Sequence, residues 1–156
     1  MIFVSLGSQK FQFNRLLIMV DSLVKDQKIK ESVFAQTGAS DYVPKNYPFS
    51  SFLTREEFKL KISKCDIVIT HGGTGAILTA LKSKKKVIVV PRLARYGEHV
   101  DDHQIQITNN FRNENYILTG NTESELLESY NKIENHKFNS FSSNNSTYID
   151  FLMNEI

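Results

Sequence analysis

Short apolar runs alternate along this chain with longer stretches in which apolar residues recur every three or four positions. Residues 2–6 (IFVSL) form a β-rich run closed by Gly7, and residues 13–24 follow with leucines, Ile18, Met19 and Val20 at helical spacing. That pair predicts a strand and then a helix. Residues 32–36, ending in Thr37-Gly38, predict a second strand, and residues 49–53 a short third one after the turn region between Pro44 and Pro48. Thr54 with Glu57 three positions on is a capping-box pattern and starts a helix that runs toward Cys65. DIVIT (66–70) and VIVV (87–90) are β-branched runs of the kind buried on both faces of a parallel sheet. Residues 116–119 add an edge strand, and helical patterns cover 75–83, 101–112 and 122–133.

Six strands separated by helices predict an α/β fold, a doubly wound parallel Rossmann-like sheet of order 3-2-1-4-5-6. This order sets strands 1 and 4 side by side, and ligands of such sheets sit where the order reverses, beyond the carboxyl ends of the strands. The loop Gly7-Ser8-Gln9 then faces His71-Gly72-Gly73-Thr74-Gly75, which holds three glycines within four residues. Each loop opens into a helix, so unpaired N–H groups and the positive ends of two helix dipoles converge on one crevice. A phosphate or pyrophosphate is the ligand such a place binds. The plainer reading is that the glycines only permit a tight turn and close packing of helix on sheet; both stay open at this point.

Composition narrows the picture. The chain has 156 residues, 40% hydrophobic and 23% charged, which suits one compact domain. Its formal net charge is +2, and the basic residues are scattered apart from Lys82, Lys84, Lys85 and Lys86, so no nucleic-acid footprint is expected. Cys65 is the only cysteine, which excludes an internal disulfide. With no apolar stretch near the ~20 residues of a membrane span and no signal-peptide pattern at the start, a cytoplasmic protein is expected. Several motifs are absent: GxGxxG after the first strand, GxxxxGK[ST] anywhere, and the GxSxG elbow that a hydrolase reading of HGG would need. His71, His99, His103 and His136 lack zinc spacing, and no Asp-x-Asp pair stands ready for a divalent ion. No metal and no cofactor are expected, so the protein itself must neutralise a bound diphosphate.

A second polar constellation, PRLARYGEHVDDHQ (91–104), follows the fifth strand and lies at the same carboxyl edge. Glu98, Asp101, Asp102, His103 and Gln104 crowd donors and acceptors into seven positions, as a site for several hydroxyl groups requires. One of the two aspartates is expected to cap the following helix. Arg92 and Arg95 either pair with phosphate or only solvate the loop.

HGGTG after DIVIT, the strand VIVVP, and GEHVDDHQ together resemble the donor-binding half of a GT-B glycosyltransferase, over nearly the whole chain to about residue 133. The resemblance is to the glycosyltransferase family 28 C-terminal domain, as in stand-alone Alg13-like and PssE- or EpsF-type proteins and the carboxyl-terminal domain of MurG. It implies a UDP-sugar donor, inverting transfer in exopolysaccharide or capsule synthesis, galactose or N-acetylglucosamine as the sugar, and a lipid-linked acceptor. It also implies a membrane-bound Alg14-like partner subunit that recruits this chain to the cytoplasmic face. By residue, it implies diphosphate binding by Gly7, Ser8, His71, Gly72, Gly73, Thr74 and Gly75. Glu98 is implied at the ribose, Asp102 and Gln104 at the transferred sugar, and Phe52 and Leu53 at the uracil. Family members often carry Ser or Thr after the last glycine, where this chain has Ala76, so that phosphate hydrogen bond is either missing here or supplied by Thr74. No catalytic base is evident. The alternative roles are a nucleotide-sugar-binding subunit without transfer and a scaffolding subunit.

Residues 139–146 (NSFSSNNS) are expected to be a flexible linker after a domain spanning 1–138. They lead to a short helix at 147–156 whose Tyr148, Phe151, Leu152 and Ile156 share one apolar face.

Overall fold

The computed structural model describes residues 1–142; the predicted helix at 147–156 lies outside the described residues. The elements in chain order are β1 (Ile2–Ser5), α1 (Asn14–Lys25), β2 (Val33–Gln36), β3 (Phe49–Ser50), α2 (Arg55–Lys64) and β4 (Ile67–His71). They continue with α3 (Thr74–Lys82), β5 (Lys86–Val90), a 3-10 turn (Ala94–Tyr96), α4 (His103–Asn113), β6 (Leu118–Thr119) and α5 (Glu123–Lys132). The six strands form one sheet of order β3-β2-β1-β4-β5-β6, every pair parallel, in agreement with the expected α/β doubly wound class. In register, Ser5 lies opposite Thr70, so the residues that follow β1 and β4 leave the sheet together.

Alternation along the strands divides the core in two. Ile2 and Val4 of β1, with Ile67, Ile69, Ile88 and Val90, face a cluster completed by Leu16, Leu17, Val20 and Leu126 of α1 and α5. Phe3, Val68, Val87 and Val89 face the other side, against Ile77, Leu81, Ile107 and Phe111 of α3 and α4. A period of two in strands buried on both faces requires this split, and burying each large side chain contributes roughly 1.5–3 kcal/mol.

Local signals set several boundaries. Thr54 accepts from the Glu57 N–H and Glu57 accepts from the Thr54 N–H, completing the expected capping box at the start of α2. Helix α4 starts at His103, two residues later than the pattern predicts, because Asp101 accepts the His103 N–H and closes the helix from outside. His71, expected in a loop, is instead the last residue of β4 and pairs in register with Val90. Of the linker expected over 139–146, residues 143–146 lie outside the described residues, while Asn139 donates its backbone N–H to Asn115 O and its side chain to Glu114 O. Phe141 packs edge-on against Tyr116 at 5.3 Å, so this stretch belongs to the domain's surface.

The lysine cluster lies at the amino end of β5, away from the crevice. Lys85 donates to the carbonyls of Ser63 and Cys65, and Lys86 pairs with Glu134 at 3.2 Å.

Candidate functional site

The two glycine loops meet on one imidazole. His71 is 4% exposed, and a Cβ built on Gly7 would lie 2.6 Å from its Nε2. A Cβ on Gly73 would lie 2.3 Å from its Cε1. Real Cβ atoms do not approach that closely, so both glycines are needed for the ring to sit between the loops. Gly7 has a second reason to be glycine, a φ of 74°. Gly72 serves packing as well: its Cβ would strike Thr108 and Gln104. Packing alone is therefore a sufficient reason for glycine at these three positions. It fails at Gly75, where a Cβ would meet nothing within 4 Å and the backbone faces open space.

Gln104 fixes the chemistry of His71. Its Oε1 accepts from the N–H groups of Gly72 and Arg92 at 2.9 and 3.0 Å, which identifies that atom as the oxygen. Its Nε2 must then donate to His71 Nδ1, 3.1 Å away, so the ring accepts at Nδ1 and carries its proton on Nε2. Burial holds the imidazolium down to about 3, with repulsion from Arg92 adding to it, so His71 is neutral at ordinary pH. Gln104 is 3% exposed with both ends of its amide engaged, and the Gly72 N–H is spent on it. Gln104 and the Gly72 N–H, expected at the sugar and the phosphate, are thus engaged with each other and with His71.

Around the first turn of α3 the protein offers donors. The N–H groups of Thr74, Gly75 and Ala76 precede the first helical bond, from Ile77 N–H to Gly73 O, and the N-cap makes no side-chain bond. Thr74 is 7% exposed, and its hydroxyl is buried with no hydrogen-bond partner among the described residues. Native proteins rarely leave such a group unpaired.

Glu98 corrects another expectation. It is 1% exposed; Oε1 accepts from Arg15 Nη2 and the Leu93 N–H, and Oε2 from Arg15 Nε. A carboxylate closed off in this way does not reach a ribose. Arg15, which no sequence motif marks, also donates to the carbonyls of Asn121 and Pro91. Arg92 is 1% exposed and donates to the carbonyls of Leu6, Phe11, Gln12 and Glu98. It therefore neither solvates its loop nor reaches outward. Burial pulls its guanidinium down to about 10, with Glu98 opposing, so the charge persists at neutral pH.

Most of the remaining candidates are accessible. Ser8 is exposed beside Gly7. Asp102 is exposed and spends Oδ1 on the Ala94 N–H. Phe52 is 58% exposed beyond β3, whereas Leu53 packs against the core.

The sheet's switch point, with its open helix N-terminus, is the geometry just described, and the sequence profile of the glycosyltransferase family 28 C-terminal domain matches residues 1–151. The chain belongs to that family. Among curated relatives of this domain, the UDP-N-acetylglucosamine transferase subunit ALG13 of Candida glabrata is 37% identical over 83 residues, 53% of this chain and 40% of that protein. The Homo sapiens protein of the same name is 26% identical over 126 residues, 75% of this chain and 11% of its own length. The domain thus spans well under half the length of these relatives. Among solved structures, the NMR solution structure of ALG13 superposes with a TM-score of 0.67 at 21% identity, covering 97% of this chain and 94% of that one. The Streptomyces sp. SF2575 glycosyltransferase SsfS6, complexed with thymidine diphosphate, gives 0.56 at 15% identity, covering 99% and 36%. At these identities the likeness is one of fold, that of the GT-B glycosyltransferases.

Proposed function

We propose that this domain is the donor-binding, catalytic subunit of a two-component inverting glycosyltransferase that moves a sugar from a UDP-sugar to a lipid-linked acceptor in polysaccharide synthesis. A membrane-bound, Alg14-like subunit supplies the acceptor face and brings the domain to the cytoplasmic side of the membrane; no helix of the described residues is long and apolar enough to cross one. One observation carries the reading: the Thr74 hydroxyl, buried and unpaired, stands at the N-terminus of α3 beside the open backbone of Gly75. A buried unsatisfied hydroxyl costs about 1–3 kcal/mol, and a diphosphate oxygen would relieve it while accepting from the amides of the same turn. Family membership supports the donor class, and relatives named for UDP-N-acetylglucosamine transfer make that sugar the first to test, with galactose next.

Transfer breaks the bond between the anomeric carbon and the diphosphate oxygen while the acceptor oxygen bonds from the opposite face. Negative charge grows on the departing diphosphate, so donors already aimed there lower the barrier. The first-turn amides of α3, the Thr74 hydroxyl, the His71 Nε2–H and the exposed Ser8 are the groups this domain contributes. Phe52 offers a ring face to uracil, and Asp102 keeps one carboxylate oxygen for sugar hydroxyls. His71 is not the base that deprotonates the acceptor, because its Nδ1 lone pair already accepts from Gln104 and its Nε2 carries the proton. That base comes from the acceptor side. The same fact favours a second reading, a subunit that binds nucleotide sugar without transferring it. UDP binding with no transfer in the presence of the partner would select it.

Calorimetry with UDP and UDP-sugars tests the site. Gly75→Val adds a side chain where the structure has room, so the variant is expected to melt within a few degrees of the unmodified protein yet bind UDP at least tenfold more weakly. Equal affinity would remove the α3 turn from the site. Among the described residues no three His, Cys, Asp or Glu side chains are grouped to share a metal ion. Because amides and a hydroxyl face the diphosphate, a chelator is expected to leave UDP affinity unchanged, and a large loss would argue for a metal.

A further inference from the structure

Arg92 is among the largest fully buried side chains, and it binds only backbone. Its Nη2 reaches Leu6 O, and its Nη1 is within 3.3 Å of the carbonyls of Phe11, Gln12 and Glu98. Those carbonyls belong to two separate loops: 6–12, which contains Gly7 and Ser8, and 91–98. The guanidinium carbon also lies 5.1 Å from the Phe13 ring, where the first loop enters α1. The backbone N–H of the same residue is held by Gln104, which in turn holds Gly72 and His71. The Arg92 side chain thus ties the loops after β1 and β5 together, and Gln104 joins them to the loop after β4. Glu98 does not pair with Arg92 directly; its carboxylate takes Arg15, and only its carbonyl takes Arg92. Two guanidinium groups therefore lie near a single carboxylate that pairs with Arg15 alone, and the cluster keeps one positive charge beneath a site for an anion.

We propose that Arg92 is a positioning residue for the diphosphate site: from inside the protein it sets the loop carrying Gly7 and Ser8 against the His71 ring and the α3 turn, without touching the ligand. The inference rests on the donor-site reading given above. A lysine places one ammonium where Arg92 spreads two nitrogens over four carbonyls, so it cannot hold both ends of that loop.

The test is UDP affinity, together with amide NMR shifts of the free protein, for Arg92→Lys and for the milder Arg15→Gln. Ile133→Ala serves as control, since it removes a buried side chain of the core at the far end of α5. Arg92→Lys is expected to raise the UDP Kd about tenfold and to move the Gly7 and Ser8 amide resonances before UDP is added. Arg15→Gln is expected to raise Kd about threefold. A comparable melting loss in Ile133→Ala should leave Kd unchanged. A Kd within twofold of the unmodified protein in folded Arg92→Lys would overturn the proposal. If that variant does not fold, an unchanged Kd in Arg15→Gln would do so. An equal rise in the control would mark the effect as general destabilisation and also overturn it. Absence of UDP binding by the unmodified chain would take away the donor-site reading itself, and this inference with it.

Discussion

Glu98→Ala is expected to destabilise the protein by about 3 kcal/mol, read as a fall in the urea midpoint. The substitution removes the acceptor of two Arg15 bonds and of the Leu93 N–H together. Breaking a buried ion pair from one side costs about 3–5 kcal/mol, because the surviving charge stays out of water. Arg15 is 18% exposed and recovers part of its hydration, which places the estimate at the lower end. The result distinguishes two roles for this residue. A ribose ligand would lose UDP affinity while the urea midpoint stayed put, and that outcome would reinstate Glu98 as a contact to the donor.

Acid should weaken the fold through His71. In the unfolded chain this histidine titrates near 6.5, whereas burial and Arg92 hold it to about 3 in the folded protein. Between those values the unfolded state binds more protons, so stability is full above about 6.5 and falls as the pH drops toward 3. From pH 7 to pH 5 the loss assigned to this one group is about 2 kcal/mol. Urea unfolding at the two pH values measures the total, and His71→Gln, whose side chain does not titrate, should show a pH dependence smaller by about that amount. An identical pH dependence in both proteins would mean that His71 titrates in the folded state as it does in the unfolded chain. That would undo the tautomer assigned through Gln104. UDP affinity should not change over the same interval on account of His71, since the ring stays neutral throughout.

The glycines show how far a sequence carries a site. HGGTG marks a crevice because three glycines in four residues, after a β-branched strand and before a helical pattern, are legible from spacing alone. Their separate reasons are not. Gly73 admits the His71 ring, Gly72 admits Gln104 and Thr108, and Gly75 alone opens outward. Each reason depends on a side chain that folding brings alongside, 32 positions away in the case of Gln104. The acidic loop taught the same lesson with the opposite sign. Glu98, Asp102 and Gln104 look alike in the sequence as polar residues at a strand's carboxyl edge, yet Glu98 and Gln104 point into the protein and Asp102 to solvent. A glutamate invites a hydroxyl ligand until its partner is known. Here that partner is Arg15, a charged residue in the first turn of α1 that no local pattern links to position 98.

By itself the sequence determined the class and order of the sheet, because periods of two and 3.6 and the glycine and capping signals are local, and only a few topologies satisfy them. It also determined where the crevice lies, since strand order places the loops after β1 and β4 side by side. Tertiary structure decided what those loops present. Burial turned Arg92, Glu98 and Gln104 inward, fixed the proton of His71, and left the first turn of α3 with an unpaired hydroxyl. These outcomes depend on pairings between residues 30 to 90 positions apart, such as Arg15 with Glu98, and such pairings are settled only when the core closes and excludes water from one side of each loop.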